Sequence, residues 1–167
     1  MIIKGWDGYS LSLTLYPSFT LSLLITEGDY YVKLVGFDKG LIIMESDSGV
    51  YLRDFSDLNY AMELTGVIED PLNLVSEVDP KFNDLYYYLI TMWRGVGLST
   101  ASRDFDYLFI PIFLSKRTSY HTNVLRWSRK MFSMISRFDD VLGINFHEIS
   151  KSPQVMELAD AIKYFIN

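Results

Sequence analysis

The sequence predicts an α+β fold in which an N-terminal antiparallel β-sheet is followed by an α-helical region. Apolar and polar residues alternate through much of residues 9–52, which is the period of a half-buried strand. Around Asp54 the alternation gives way to helix caps and helical spacing. A chain of 167 residues is long enough for one sizeable core. We therefore expect a sheet over residues 1–53 and a helical region over residues 54–167, packed as one unit.

The alternating segments predict a small meander of four or five strands. Clusters of Gly, Asp and Ser separate several of these segments, as turn residues should. The segments start at Leu11, Thr20, Tyr30, Leu41 and Val50, and the clusters lie at residues 27–29, 38–40 and 47–49.

Helix signals follow the sheet. Asp54 or Ser56 would cap a first helix that ends near Gly66, and Asp70 before Pro71 reads as another helix start. Longer helices are predicted at residues 82–93, 107–115, 120–138 and 154–165.

The helix at residues 107–115 is apolar on all sides, which predicts that it is the central buried helix. Asp104 is its predicted N-cap. Pro111 should kink it or lie near its first turns.

Composition excludes several classes of protein. With no cysteine, disulfides, thiolate metal sites and a cysteine nucleophile are ruled out. The two histidines, His121 and His147, are far apart and lack ligand spacing or a nucleophile motif, so we expect neither a metal site nor Ser-His-Asp catalysis. No glycine-rich nucleotide loop is present, and no cofactor is expected. Without a signal peptide or an apolar run of ~20 residues, the chain is predicted to be cytoplasmic, with no membrane partner.

Basic charge is concentrated in one acid-free run, residues 107–138, although the chain carries a formal net charge of −6. Such a cationic cluster is what binding to phosphates requires. A helix with a solvated basic face would have the same composition, and charge alone leaves both interpretations open. The basic residues of the run are Lys116, Arg117, Arg126, Arg129, Lys130 and Arg137.

Residues in and around this run resemble the first half of the helix-hairpin-helix DNA glycosylases, the superfamily of endonuclease III and the alkyladenine and 8-oxoguanine glycosylases. In that family an Asp-led start opens a buried helix that ends in Leu-Ser-Gln-Arg-Thr or a close variant, and a helix of Asn-Val-Leu character follows. The N-terminal meander resembles the sheet of the alkyladenine and 8-oxoguanine branch. The matching residues here are Asp104-Phe105, Leu114-Ser115-Lys116-Arg117-Thr118 and Asn123-Val124-Leu125, with Lys116 in place of the usual Gln.

The resemblance implies a wedge loop. Extruding a nucleotide from duplex DNA costs a few kcal/mol of pairing and stacking, and a side chain must fill the hole. Arg117 lies where the family places that wedge, and its guanidinium would stack on neighbouring bases. The alternative is a polar corner between two helices, with Thr118 or Ser119 as N-cap. The DNA-binding residues implied are Ser115, Lys116, Arg117, Thr118, Ser119, Tyr120, Arg126 and Lys130.

The catalytic residues of the family lie in the second half of its fold, and this sequence resembles only the first half. The expected hairpin and catalytic Asp would follow about where the chain stops, at Asn167. Gly95 and Gly97 superficially imitate the hairpin, but no carboxylate follows at the required distance, and we interpret them as the turn before the buried helix. A phosphate-binding hairpin remains the alternative there.

No catalytic residue is therefore expected on this chain. The sequence predicts a DNA-binding subunit of a split DNA glycosylase in base excision repair. Its partners would be damaged double-stranded DNA and a second subunit that carries the hairpin and the catalytic Asp. The alternative is a non-catalytic DNA-binding or assembly protein that retains the half-fold.

Overall fold

The computed structural model describes residues 1–166 and has the α+β architecture that the sequence predicts. A five-stranded antiparallel sheet forms the N-terminal part, and helices follow it. Buried residues of both parts, from Leu11 to Ile162, form one hydrophobic core. In the described range, no helix is long and apolar enough to cross a membrane.

The sheet is a four-strand meander extended at one edge by an N-terminal strand. Its spatial order is β1-β5-β4-β3-β2, and every neighbouring pair is antiparallel. Two of its turns fall at predicted positions, Gly28-Asp29 and Asp47-Ser48. The strands are β1 (Ile2–Lys4), β2 (Leu24–Glu27), β3 (Tyr30–Lys33), β4 (Ile42–Ser46) and β5 (Gly49–Arg53).

The prediction of strands starting at Leu11 and Thr20 is wrong, because both segments are helical. Helix α1 spans Leu11–Leu15, and a 3-10 helix spans Phe19–Leu23. Serines cap both, since the hydroxyl of Ser10 accepts a hydrogen bond from the N–H of Leu13 and that of Ser18 one from Thr20. In α1, Leu11 and Leu15 are buried one turn apart while Leu13 is half exposed. Alternation of apolar and polar residues over only five positions could not distinguish a strand from a short helix.

The helical region follows the predicted order with shifted boundaries. Asp57, rather than Asp54 or Ser56, caps the first of these helices, which ends at Gly66. The helix predicted for residues 120–138 is shorter and begins with a π-helical turn at Tyr120–Val124. The helices are α2 (Leu58–Thr65), α3 (Asn83–Met92), α4 (Phe105–Leu114), α5 (Leu125–Phe132), α6 (Phe146–Ile149) and α7 (Pro153–Ile166), with 3-10 segments at Pro71–Glu77, Pro80–Phe82, Ser102–Asp104 and Phe138–Gly143.

Helix α4 lies between the 3-10 helix Phe19–Leu23, α5 and α7. Its buried side consists of Ile110, Pro111 and Leu114, whereas Phe105 and Ile112 are exposed. The expectation of a central buried helix is met on this side only, because the neighbours of α4 cover only part of its circumference. Pro111 lies inside the helix.

A buried polar cluster ties the sheet to the start of α4. The Lys33 ammonium lies 2.7 Å from the Asp104 carboxylate, and both side chains are inaccessible to solvent. Asp104 also accepts hydrogen bonds from the Tyr60 hydroxyl and, at 2.7 Å, from the Phe37 N–H. A Cβ on Gly36 would lie 1.9 Å from the Asp104 carboxylate, so only glycine fits beside it. Losing one partner of such a buried pair typically costs about 3–5 kcal/mol, which makes this cluster a major constraint on the position of α4.

Asp104 occupies the predicted cap position but does not cap α4. Its carboxylate makes no hydrogen bond to the backbone of that helix. The oxygens point instead to the sheet and to α2, where a buried cation needs them.

Helix α3 stands away from this core. Within residues 68–94 no residue is buried, and the main contacts of α3 are with the 3-10 segments that precede it. An open groove of about 480 Å³ separates α3 from the N-terminal segment, with Trp6, Tyr87 and Trp93 in its lining.

Candidate nucleic-acid interface

A short loop, residues 115–119, joins α4 to the π-helical turn before α5. We call it the basic loop. Arg117 lies near its centre with a φ of 59°, in the left-handed region. A residue with a Cβ is strained there by roughly 1–2 kcal/mol, and glycine or asparagine normally takes such a position after a helix. Arginine at a position that favours glycine suggests a use for its guanidinium.

Hydrogen bonds hold the basic loop on both sides of Arg117. The Ser115 hydroxyl donates to the Ile112 carbonyl at 2.6 Å, at the end of α4. The Thr118 hydroxyl accepts from the Asn123 side chain at 2.8 Å, and the Ser119 hydroxyl donates to that of Thr122 at 3.2 Å. These contacts fix the loop and leave its basic side chains free to point outward.

Two adjacent cations are exposed on this loop. The Lys116 ammonium lies 4.3 Å from the centre of the Phe113 ring, over its face. Arg117 is exposed, and among the described side chains none accepts a hydrogen bond from it or pairs with it. Its guanidinium is therefore available to a ligand.

Tyr120 follows the basic loop, and its side chain packs inward. Its hydroxyl donates to the Ser18 carbonyl at 2.7 Å, and its ring meets Phe19 edge to face at 5.3 Å. Burial raises the pKa of Tyr120, so the hydroxyl stays protonated and able to donate. Tyr120 thus attaches the basic loop to the 3-10 helix Phe19–Leu23, and sequence alone did not indicate this positioning role.

Helix α5 extends the positive surface with two exposed cations one turn apart, Arg126 and Lys130. Arg126 donates to the Asn123 side chain at 3.3 Å, and Lys130 donates to the Glu148 carbonyl.

The other two cations of the run are not part of this surface. Arg129 is half-buried and donates to the Leu21 carbonyl at 3.1 Å, and burial lowers its pKa. Arg137 lies beyond the end of α5 and pairs with Asp139 at 3.4 Å.

An exposed aromatic pair next to the basic loop was not found from the sequence. The His121 and Tyr16 rings stack with centroids 4.0 Å apart and planes 17° apart. Tyr16 is 62% exposed, so this pair presents an aromatic surface to solvent. No sequence signal could reveal it, because the two residues belong to distant segments that α1 brings together.

The carboxylate at the start of α4 is not available at this surface. Asp104 begins the helix that carries the basic loop, but its carboxylate is inaccessible and already bound to Lys33 and Tyr60. In the part of the chain that the structure describes, no group of three or more His, Asp or Glu could hold a metal ion.

The Gly95-Val96-Gly97 segment packs against the core as a connection. The Gly97 N–H donates to the Thr14 hydroxyl at 2.8 Å, and a Cβ on Gly97 would lie 2.2 Å from the Gly66 carbonyl oxygen. Close packing therefore accounts for Gly97, and its N–H is not available to a phosphate. This geometry favours the turn interpretation over the phosphate-binding hairpin.

Comparison of the chain with protein-family models, curated proteins and solved structures gives no match. The resemblance to DNA glycosylases therefore depends on the residues quoted above and stays a prediction.

Proposed function

We propose that this chain is the DNA-binding subunit of a two-chain DNA glycosylase and that Arg117 is its wedge. The observation that carries the proposal is the geometry of Arg117, which is exposed, without a partner among the described side chains, and held in the left-handed region on a fixed loop.

A wedge must be presented rigidly, because it fills the space of an extruded base at a cost of a few kcal/mol in pairing and stacking. The hydrogen bonds of Ser115, Thr118 and Ser119 supply that rigidity. Behind the loop, α4 is fixed to the sheet through Asp104 and Lys33. The planar guanidinium of Arg117 is suited both to stacking on bases and to donating hydrogen bonds to an orphaned partner base.

The surrounding residues fit a duplex. Lys116, Arg126 and Lys130 would contact phosphates and fix the register of the protein on DNA without reading sequence. The stacked rings of Tyr16 and His121 offer a platform for an unpaired base.

The chemistry is proposed to belong to a second chain. The run that carries the accessible cations of the interface contains no carboxylate, which supports placing the catalytic Asp on another chain. That Asp would stabilise the positive charge that develops on the sugar as the bond to a damaged base is hydrolysed. The proposed place of action is the cytoplasm, at the nucleoid.

The test compares two duplexes that differ at one position, one intact and one with an abasic-site analogue that already contains the hole. We expect the wild-type chain to bind the abasic duplex at least tenfold more tightly, and Arg117→Ala to lose most of this preference. Arg126→Ala, the matched control, should weaken binding to both duplexes by similar factors. Fluorescence anisotropy measures the affinity of each of the three proteins for both duplexes.

Equal losses on both duplexes in Arg117→Ala would contradict the wedge. Cleavage of a damaged duplex at full enzymatic rate by this chain alone would contradict the two-chain assignment.

The second candidate function is a non-catalytic DNA-binding or assembly protein. The inaccessibility of Asp104, the carboxylate at the start of the loop-bearing helix, favours it. This candidate predicts DNA binding with no preference for the abasic duplex.

A further inference from the structure

Helix α3 carries an apolar stripe that nothing in the described chain covers. Leu85, Tyr88, Leu89 and Met92 follow the i, i+3, i+4, i+7 spacing of one helix face, and each is 45–63% exposed. In a surface helix this face normally packs on the core. Here a different side of α3 faces the preceding 3-10 segments, as shown by the Tyr86 hydroxyl donating to the Pro71 carbonyl at 2.9 Å, and Tyr87 lines the open groove.

The helix lacks the burial that would stabilise it. No residue within 68–94 is buried, and a ten-residue helix without packing is only marginally stable in water. A contiguous exposed apolar face on such a helix is typical of a protein interaction site.

Charge around the stripe indicates what covers it. Residues 68–94 contain five carboxylates and two cations, of which Lys81 pairs with Asp79 at 3.1 Å and Arg94 pairs with Asp7 in the N-terminal segment. Partial burial, together with the negative charges of Glu69, Asp70 and Glu77, raises the pKa of Tyr86, next to the stripe. Asp84 lies on the other flank of α3. The apolar stripe is thus flanked by negative charge.

We propose that the α3 stripe binds an amphipathic helix of a second protein, whose apolar face covers Leu85, Tyr88, Leu89 and Met92 and whose flanking Lys or Arg residues face the carboxylates. A second copy of this chain is disfavoured, because twofold pairing through the same surface would bring the acidic flanks together. This inference rests on the proposed function in one respect. That function identifies the second protein as the catalytic chain.

The test uses two synthetic helical peptides of about 20 residues with the same leucine face. One carries lysines on its flanks and the other glutamates. We expect the full chain to bind the lysine peptide at least tenfold more tightly than the glutamate peptide, with an affinity that falls as salt rises. Equal affinities for the two peptides would overturn the proposal.

Two matched variants locate the binding surface. Tyr87 and Tyr88 are both 59% exposed on α3, but only Tyr88 lies on the stripe. Tyr88→Glu should weaken binding of the lysine peptide at least tenfold although it adds negative charge, whereas Tyr87→Glu should retain binding. Equal effects of the two variants would contradict the stripe, and circular dichroism checks that both fold.

Two further measurements separate the outcomes. Sedimentation of the wild type over a range of concentrations detects self-association, and a dimer that Tyr88→Glu abolishes would overturn the proposal in favour of a second copy. DNA affinity of Tyr88→Glu should equal that of the wild type. A wild-type chain that fails to bind the lysine peptide but prefers the abasic duplex contradicts the docking surface alone, and a wild-type chain that binds the peptide without that preference contradicts the wedge alone.

Discussion

At the scale of single residues, Arg117 combines a strained backbone with an unpartnered charge. Its φ of 59° places the Cβ in an unfavourable position, while its neighbours are held by local hydrogen bonds. If Arg117 is the wedge, as proposed, stability and function make opposite demands on this position.

Replacing Arg117 tests this conflict. Arg117→Gly removes the Cβ strain of about 1–2 kcal/mol but adds about 0.5–1 kcal/mol of chain entropy, whereas Arg117→Ala retains the strain. We expect the glycine variant to exceed the alanine variant in free energy of unfolding by about 0.5–1 kcal/mol, measured by urea denaturation. Both variants should lose the abasic-site preference. An alanine variant as stable as the glycine variant would contradict the strain at this position.

At the scale of elements, Glu63 connects α2 to the segment that leads into α4. Its carboxylate accepts hydrogen bonds from the N–H and hydroxyl of Ser102, at 2.6 and 2.7 Å, and from the Thr100 hydroxyl at 2.9 Å. Partial burial raises the pKa of Glu63, but the hydrogen bonds from Ser102 and Thr100 outweigh it and hold that pKa below its ordinary value of 4.5. The ionised carboxylate therefore stabilises the fold at neutral pH.

This contribution should depend on pH with a defined sign. Because the folded-state pKa of Glu63 is depressed, its stabilisation is present above pH 4.5 and is lost as pH falls through the folded-state value. We expect Glu63→Gln to be less stable than wild type at pH 7, with a difference that shrinks below pH 4.5, in urea denaturation at a series of pH values. The exposed Glu157→Gln serves as the control and should change stability by less than about 0.5 kcal/mol. A difference for Glu63→Gln that stays constant down to pH 3 would refute this role.

At the scale of the whole molecule, charge is divided between two surfaces. The basic loop and α5 present Lys116, Arg117, Arg126 and Lys130, and the region around α3 is acidic, in a chain of net charge −6. A negatively charged protein can bind a polyanion only through such a separated cationic surface.

The salt dependence of DNA binding measures how many of these cations meet phosphates. The three proposed phosphate contacts, those of Lys116, Arg126 and Lys130, predict that log K for duplex DNA falls with log[salt] with a slope of about −2.7, because each phosphate contributes about −0.9. Arg126→Ala should reduce the slope by about one. Affinity measured from 50 to 200 mM salt gives the value, and a slope near zero would mean that no DNA interface exists on this surface.

Local signals in the sequence predicted much of the fold. The Gly28-Asp29 and Asp47-Ser48 turns and the helical start at Asp70-Pro71 were found because short-range chemistry fixes them. The helical conformation of Leu11–Leu15 was missed, because short apolar alternation is compatible with either structure and packing of Leu11 and Leu15 decided between them. For the candidate interface, the sequence indicated the cations but not which would be exposed, and it did not reveal the stack of Tyr16 on His121.

The sequence by itself determined the α+β class, the order of sheet and helices, and the acid-free basic run, since these depend on residue type and on neighbours along the chain. Only the tertiary structure decided that Asp104 serves the buried Lys33, that Arg129 turns inward while Arg117 stays exposed, and that α3 keeps an uncovered apolar face. The physical reason is that burial and pairing depend on contacts between residues far apart in the chain, and these exist only once the sheet and helices have packed.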